Sequence, residues 1–273
     1  MFLGNRRGKR NSRIQSPPLT SNSYYLFDHI PRTGGSYLAA VLSELLGTAS
    51  DNFDCGPDYP QQHQHEIREL DRFRVVVGHL RLDTVKAFNQ VRPRHLISIV
   101  RDPVAQIVST YNFWRYNITE DLPHCNLAKD LEFSEFIRAP SLRMATDNPV
   151  TRHFFGIWHE EALEQTETSR ILAVRMADSY AFIGVTERME ESVIAITRLF
   201  PSNRAYHMPS NIDRNASKGS APIADEDRHY LEQHNQLDFA IYRHANQRLD
   251  RILADESTAN LACDEFKRRI SLR

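Results

Sequence analysis

Cysteine is scarce in this 273-residue chain, and the three that occur, Cys55, Cys125 and Cys263, stand far apart. An odd number without paired or metal-cage spacing argues against a disulfide framework and points to a reducing compartment. Long apolar runs are missing too. The basic start through Arg6, Arg7, Lys9, Arg10 and Arg13 leads into no apolar signal core, and no later run matches a bilayer span. A cytoplasmic protein without stable membrane insertion is expected. There is no excess of either charge: 34 Lys and Arg against 35 Asp and Glu give a net charge of -1. That argues against a general nucleic-acid binder, and any anion site must be local. The Gly-x-x-x-x-Gly-Lys-Ser/Thr loop of nucleoside triphosphatases does not occur. His63, His65 and Glu66 lie in a Gln-rich stretch without further spaced ligands, so no metal is assigned.

With 41% hydrophobic and 25% charged residues, the chain has the composition of a soluble globule, and its length suits one α/β domain. Residues 1–20 are basic and polar and end in Ser16, Pro17 and Pro18, the composition of a flexible arm; residues 21–273 form the expected single domain. Short apolar runs alternate there with helical periodicity. Strands are expected over Tyr24–Ile30, Phe73–Val77, His95–Val100 and Tyr180–Val185. Leu38, Val41, Leu42 and Leu45 mark a helix after the first strand, and Asp102 with Pro103 marks another after the third. Thr186, Glu187, Glu190 and Glu191 read as the cap and acidic first turn of a helix after the fourth. Weaker helices fall around Leu131–Ile137 and Val150–Trp158, and residues from Ala224 onward look helical. The expectation is a three-layer, P-loop-like α/β fold with a central parallel sheet flanked by helices.

Between the first strand and its helix stand His29, Ile30, Pro31, Arg32, Thr33, Gly34, Gly35, Ser36 and Tyr37. A helix N-terminus offers free N–H groups and a positive dipole end, glycines let backbone approach an anion, and Thr33, Ser36 and Arg32 add hydroxyls and a cation. The chemistry suits a phosphate. His79 follows the Val75–Val77 run, and in an open parallel sheet the carboxyl ends of strands border the ligand crevice, so His79 faces the same edge as Arg32.

The run HIPRTGGSYL resembles the 5'-phosphosulfate loop of sulfotransferases that use PAPS (3'-phosphoadenosine 5'-phosphosulfate), closest to the branch of heparan sulfate 2-O-sulfotransferase and its bacterial relatives. That pattern usually has Lys at the position of Arg32 and Thr at that of Ser36. SIVRDPVAQIVSTY is similar to the 3'-phosphate motif, with Arg101 and Ser109 at its two binding positions. The resemblance implies that Arg32 stabilises the leaving phosphate, that Thr33 to Tyr37 cradle it, and that Arg101 and Ser109 hold the 3'-phosphate of PAPS or of the product PAP. It implies His79 as general base in an in-line transfer to an acceptor hydroxyl, and Arg152 with His79 on the acceptor side. Ser217, Lys218 and Gly219 are candidates for closing over the 3'-phosphate. The acceptor implied first is a carbohydrate hydroxyl, and after it a small-molecule or lipid-like alcohol. Two other readings stay open: a nucleotide-dependent kinase on the same strand, loop and helix plan, and a nucleotide-binding relative without turnover.

Overall fold

The computed structural model describes residues 23–46, 53–54, 64–80, 82–119, 121–199 and 223–254. Its centre is a parallel sheet of β1 (Tyr25–Asp28), β2 (Phe53–Asp54), β3 (Val75–His79), β4 (His95–Val100) and β5 (Phe182–Val185). The order is β2-β3-β1-β4-β5, with Tyr25 beside both Val75 and His95. The chain therefore fills one side of β1, crosses over it, and fills the other. Strand order reverses at β1, and in open parallel sheets such a reversal marks the crevice outside the carboxyl ends of the strands, here β1 and β4.

Strands β1, β3, β4 and β5 bury both faces, and in β1 and β3 alternation assigns the side chains to different cores. Tyr25, Phe27, Val75, Val77, Ile97 and Ile99 point into the larger core. Leu26 and Val76 point into the smaller one, with Ile67, Leu80, Val85 and Phe88. The three consecutive valines thus serve two helix layers.

The helices follow the chain around this sheet. They begin with α1 (Gly35–Leu46), α2 (Gln64–Leu70), α3 (Leu82–Val91) and α4 (Pro103–Tyr116). Short α5 (Pro123–Asp130), α6 (Phe133–Phe136), α7 (Arg143–Thr146) and α8 (Pro149–Phe155) follow. The series ends with α9 (Glu167–Asp178), α10 (Met189–Leu199), α11 (Asp225–His234) and α12 (Gln236–Ala254). As the sequence suggests, the Asp102 side chain caps α4 by accepting from Ala105 N–H at 2.9 Å, with Pro103 in the first turn. Tyr111, Phe136, Ile137 and Leu231 form a third apolar cluster beneath α4. No helix among the described residues is long and apolar enough to cross a membrane. The arm at residues 1–20 lies outside the described residues.

Two helix starts cap one another. The buried Asp238 carboxylate accepts from Val150 N–H and Thr151 N–H at 2.8 Å each and from the Thr151 hydroxyl at 2.7 Å, which satisfies the start of α8. In return the Asn148 side-chain carbonyl accepts from Leu237 N–H at 3.0 Å and Asp238 N–H at 3.1 Å, at the start of α12. Asn148 adopts φ 50°, a left-handed conformation that asparagine tolerates better than most residues. Asp238→Ala leaves three buried donors without an acceptor, so urea unfolding is expected to show a loss of about 2–4 kcal/mol.

Candidate active site

The loop after β1 owes its shape to two left-handed residues, Arg32 at φ 65° and Gly34 at φ 79°. Glycine takes this backbone at no steric cost, whereas arginine must be held in it. Thr33 between them is fully buried, and its hydroxyl donates inward to the Ile30 carbonyl at 2.8 Å. The expected donation by Thr33 to an anion is therefore corrected: this hydroxyl closes the turn. The Thr33 carbonyl accepts from the Thr186 hydroxyl, which also lies 3.0 Å from the Val100 carbonyl. Thr186, expected as a helix cap, instead bolts the loop to the end of β4.

The second glycine answers to packing. A Cβ on Gly35 would lie 1.9 Å from Cδ2 of His29, whose ring therefore rests against the first residue of α1. Ser36 is exposed in that first turn and Tyr37 is partly buried against the larger core. Helix-start N–H groups and the dipole thus face the crevice at Gly35 and Ser36.

The two loops read separately from the sequence meet through side chains. Arg32 Nε donates to Ser109 Oγ at 3.1 Å, and its guanidinium stacks 4.3 Å from the centre of the Phe113 ring. Arg101 donates to the Arg32 carbonyl at 3.3 Å, and Gln106 donates to the Pro31 carbonyl at 3.0 Å. Gln106, Ser109 and Phe113 fall on one stripe of α4, so this stripe grips the loop. Burial lowers the pKa of Arg32, and the neighbouring Arg101 cation lowers it further. Two guanidinium groups this close make a strong local positive field in a chain of net charge -1. Glu187 approaches Arg101 Nε at 3.9 Å, accepts from Asp102 N–H at 3.1 Å and from the Tyr242 hydroxyl at 3.2 Å. Burial and this carboxylate push Tyr242 up to about 12. Glu187 thus meets the second motif as well as opening a helix.

Beside the loop, two histidine rings stack with centroids 4.8 Å apart. His79 Nδ1 donates to the His29 carbonyl. A carbonyl oxygen only accepts, so the facing nitrogen carries the hydrogen, and Nε2 of neutral His79 keeps a lone pair for an incoming proton. Burial, reinforced by His79, lowers His29 to about 4, so this ring stays neutral near pH 7.

Arg152 requires a correction. It is 1% exposed and spends its donors internally, on the Asp147 carbonyl and carboxylate at 2.7 Å each, on His159 O at 2.8 Å and on Glu161 O at 2.6 Å. It ties down the segment after α8 and presents nothing to an acceptor. His153, which sequence reading passed over, is placed near the two histidines: its Nε2 donates to Asp28 Oδ1 at 2.6 Å. A separation of 125 residues left no local signal for that pair. Ser217, Lys218 and Gly219 lie outside the described residues.

The profile of the sulfotransferase family matches residues 22–245, a span that includes both loops and the cap between α8 and α12. The chain is also 23% identical over 255 residues to a protein-tyrosine sulfotransferase of Arabidopsis thaliana, covering 89% of this chain and 48% of the relative. It spans about half the length of that relative.

Gly35→Ala would drive a methyl group into the His29 ring, an overpacking expected to cost about 1–3 kcal/mol in urea unfolding. An unchanged midpoint would mean that the ring is not held there. A histidine with a lowered folded pKa stabilises fully above its unfolded value of 6.5, and the contribution is lost as pH falls through 4. His29→Gln is therefore expected to flatten the decline in melting temperature between those two pH values.

Proposed function

The chain belongs to the sulfotransferase family, and from that premise we propose that it transfers a sulfuryl group from PAPS to an acceptor hydroxyl. The observation that carries this reading is the contact of Arg32 with Ser109 and Arg101 at the crevice beside β1. It brings cations and helix-start N–H groups together where a nucleotide with phosphates at both ends can be held.

PAPS supplies a sulfuryl group already bonded to a good leaving group, its 5'-phosphate. In the proposed transfer, His79 Nε2 takes the acceptor proton while the acceptor oxygen forms its bond to sulfur. The bond between sulfur and the phosphate oxygen breaks, and its electron pair stays with that oxygen. Arg32 and the N–H groups at Gly35 and Ser36 meet the resulting charge. Arg101 and Ser109 hold the 3'-phosphate, with Ser217, Lys218 and Gly219 as candidates to close over it. Family membership favours sulfuryl over phosphoryl transfer and so weakens the kinase reading.

The acceptor we favour is a carbohydrate hydroxyl, on the likeness of HIPRTGGSYL to the 2-O-sulfotransferase branch. The relative's name supports a second reading, a tyrosine hydroxyl on a peptide. Supplying PAPS with either a desulfated heparin-type polysaccharide or an acidic tyrosine peptide separates the two.

Calorimetric titration should show tight binding of PAP, much weaker binding of 5'-AMP, and no preference for ATP with magnesium. Arg101→Ala is expected to weaken PAP by about tenfold or more, as for loss of a charge-assisted phosphate contact. Preference for ATP would sink the proposal. His79→Ala should bind PAP normally yet transfer sulfuryl about 10²–10⁴ times more slowly. Retention of the full rate would remove His79 from the mechanism.

A further inference from the structure

Asp28, the last residue of β1 and the one before His29, is a buried carboxylate, 2% exposed. Its Oδ1 accepts from His153 Nε2 at 2.6 Å and from Leu80 N–H at 3.3 Å. Its Oδ2 accepts from the Tyr180 hydroxyl at 2.7 Å. Its backbone carbonyl accepts from the Ser98 hydroxyl at 2.7 Å, so β4 is fastened at the same residue. Three donors on one carboxylate satisfy a group that would otherwise be costly to bury.

One of these bonds, from Leu80 N–H, closes a ring with the bond made by His79. Asp28 is followed by His29, whose carbonyl accepts from His79 Nδ1. His79 is followed by Leu80, whose N–H returns to Asp28 Oδ1. The ring runs through two peptide links and two side chains, and it joins the ends of β1 and β3. The Leu80 bond holds the backbone just past His79 against β1, the position from which the imidazole reaches the His29 carbonyl by Nδ1. A turn displaced at Leu80 would free the ring to rotate and exchange its tautomer.

The geometry points to Asp28 as the positioning residue of His79, fixing the tautomer with hydrogen on Nδ1 and the direction of Nε2 through the Leu80 N–H, with His153 and Tyr180 holding the carboxylate in place. This inference rests on the reading of His79 as the base, but its signature is visible without nucleotide.

The test is nitrogen NMR on histidine-labelled protein at a pH where imidazole is neutral, with the His79 signal assigned among the 12 histidines by His79→Gln. Wild type is expected to carry hydrogen on Nδ1 of His79. In Asp28→Ala the Nε2–H form should become substantial. PAP affinity should stay within about twofold, while PAP release from PAPS with water as acceptor falls about 10–100-fold, the scale for misplacing a reacting group. Asp28→Asn should restore tautomer and rate, because its amide oxygen still accepts from Leu80. Hydrogen on Nε2 in the wild type, or an unchanged tautomer in folded Asp28→Ala, would overturn the inference. If Asp28→Ala does not fold, Leu80 amide exchange in wild type decides: protection like that of β3 supports the ring, and exchange as fast as an exposed loop refutes it. Absence of PAP binding to wild type would count against the proposed function alone.

Discussion

The left-handed backbone at Arg32 is the constraint on which the candidate site depends. A side-chain-bearing residue in this region costs about 1–2 kcal/mol, and four groups from other parts of the chain hold it there. Arg101 takes its carbonyl, Ser109 and Phe113 take its side chain, and Gln106 takes the carbonyl just before it. Three of the four come from one face of α4 and the fourth from the residue after β4. The strain at Arg32 therefore carries information: the loop after β1 keeps its shape only when β4 and α4 are docked beside β1.

Much of this was legible in the sequence. Three consecutive valines can only be a strand covered on both sides, and a glycine pair between an apolar run and a helical stripe is a loop with room for an anion. The edge strand Phe53–Asp54 was not legible, because two residues have no period. Nor was α9, whose exposed Ile171 and Leu172 blur the apolar stripe that would announce it. Thr186 has the pattern of a cap, because a threonine before acidic residues usually is one. Its hydroxyl instead met carbonyls 86 and 153 positions away.

Arginine shows why site residues are harder to read than strands. Arg94 is inside the protein at the opposite end of the sheet, donating to Asp71 and to the carbonyls of Tyr25 and Phe73. Arg152 is inside on α8, closed on Asp147. Arg32 lies against Ser109 and beside a second cation. The side chain is the same in all three, and only its surroundings decide whether it is a strut or a seat for an anion. The sequence around Arg152 does not show its burial for that reason, and Asp28 with His153 carries no local signal, because an Asp before a His and a His after an Arg are common in isolation.

The reciprocal caps between α8 and α12 have a consequence for how the molecule is made. Asn148 and Asp238 are 90 positions apart, and each completes the other's helix. During synthesis on a ribosome, the strands β1, β3 and β4 and the whole of α4 emerge long before residue 238 does. The loop after β1 and the stripe of α4 that grips it are present while α8, carrying His153, still lacks its cap. The start of α8 is thus completed only after β5 and α9 are already made, and it waits for α12.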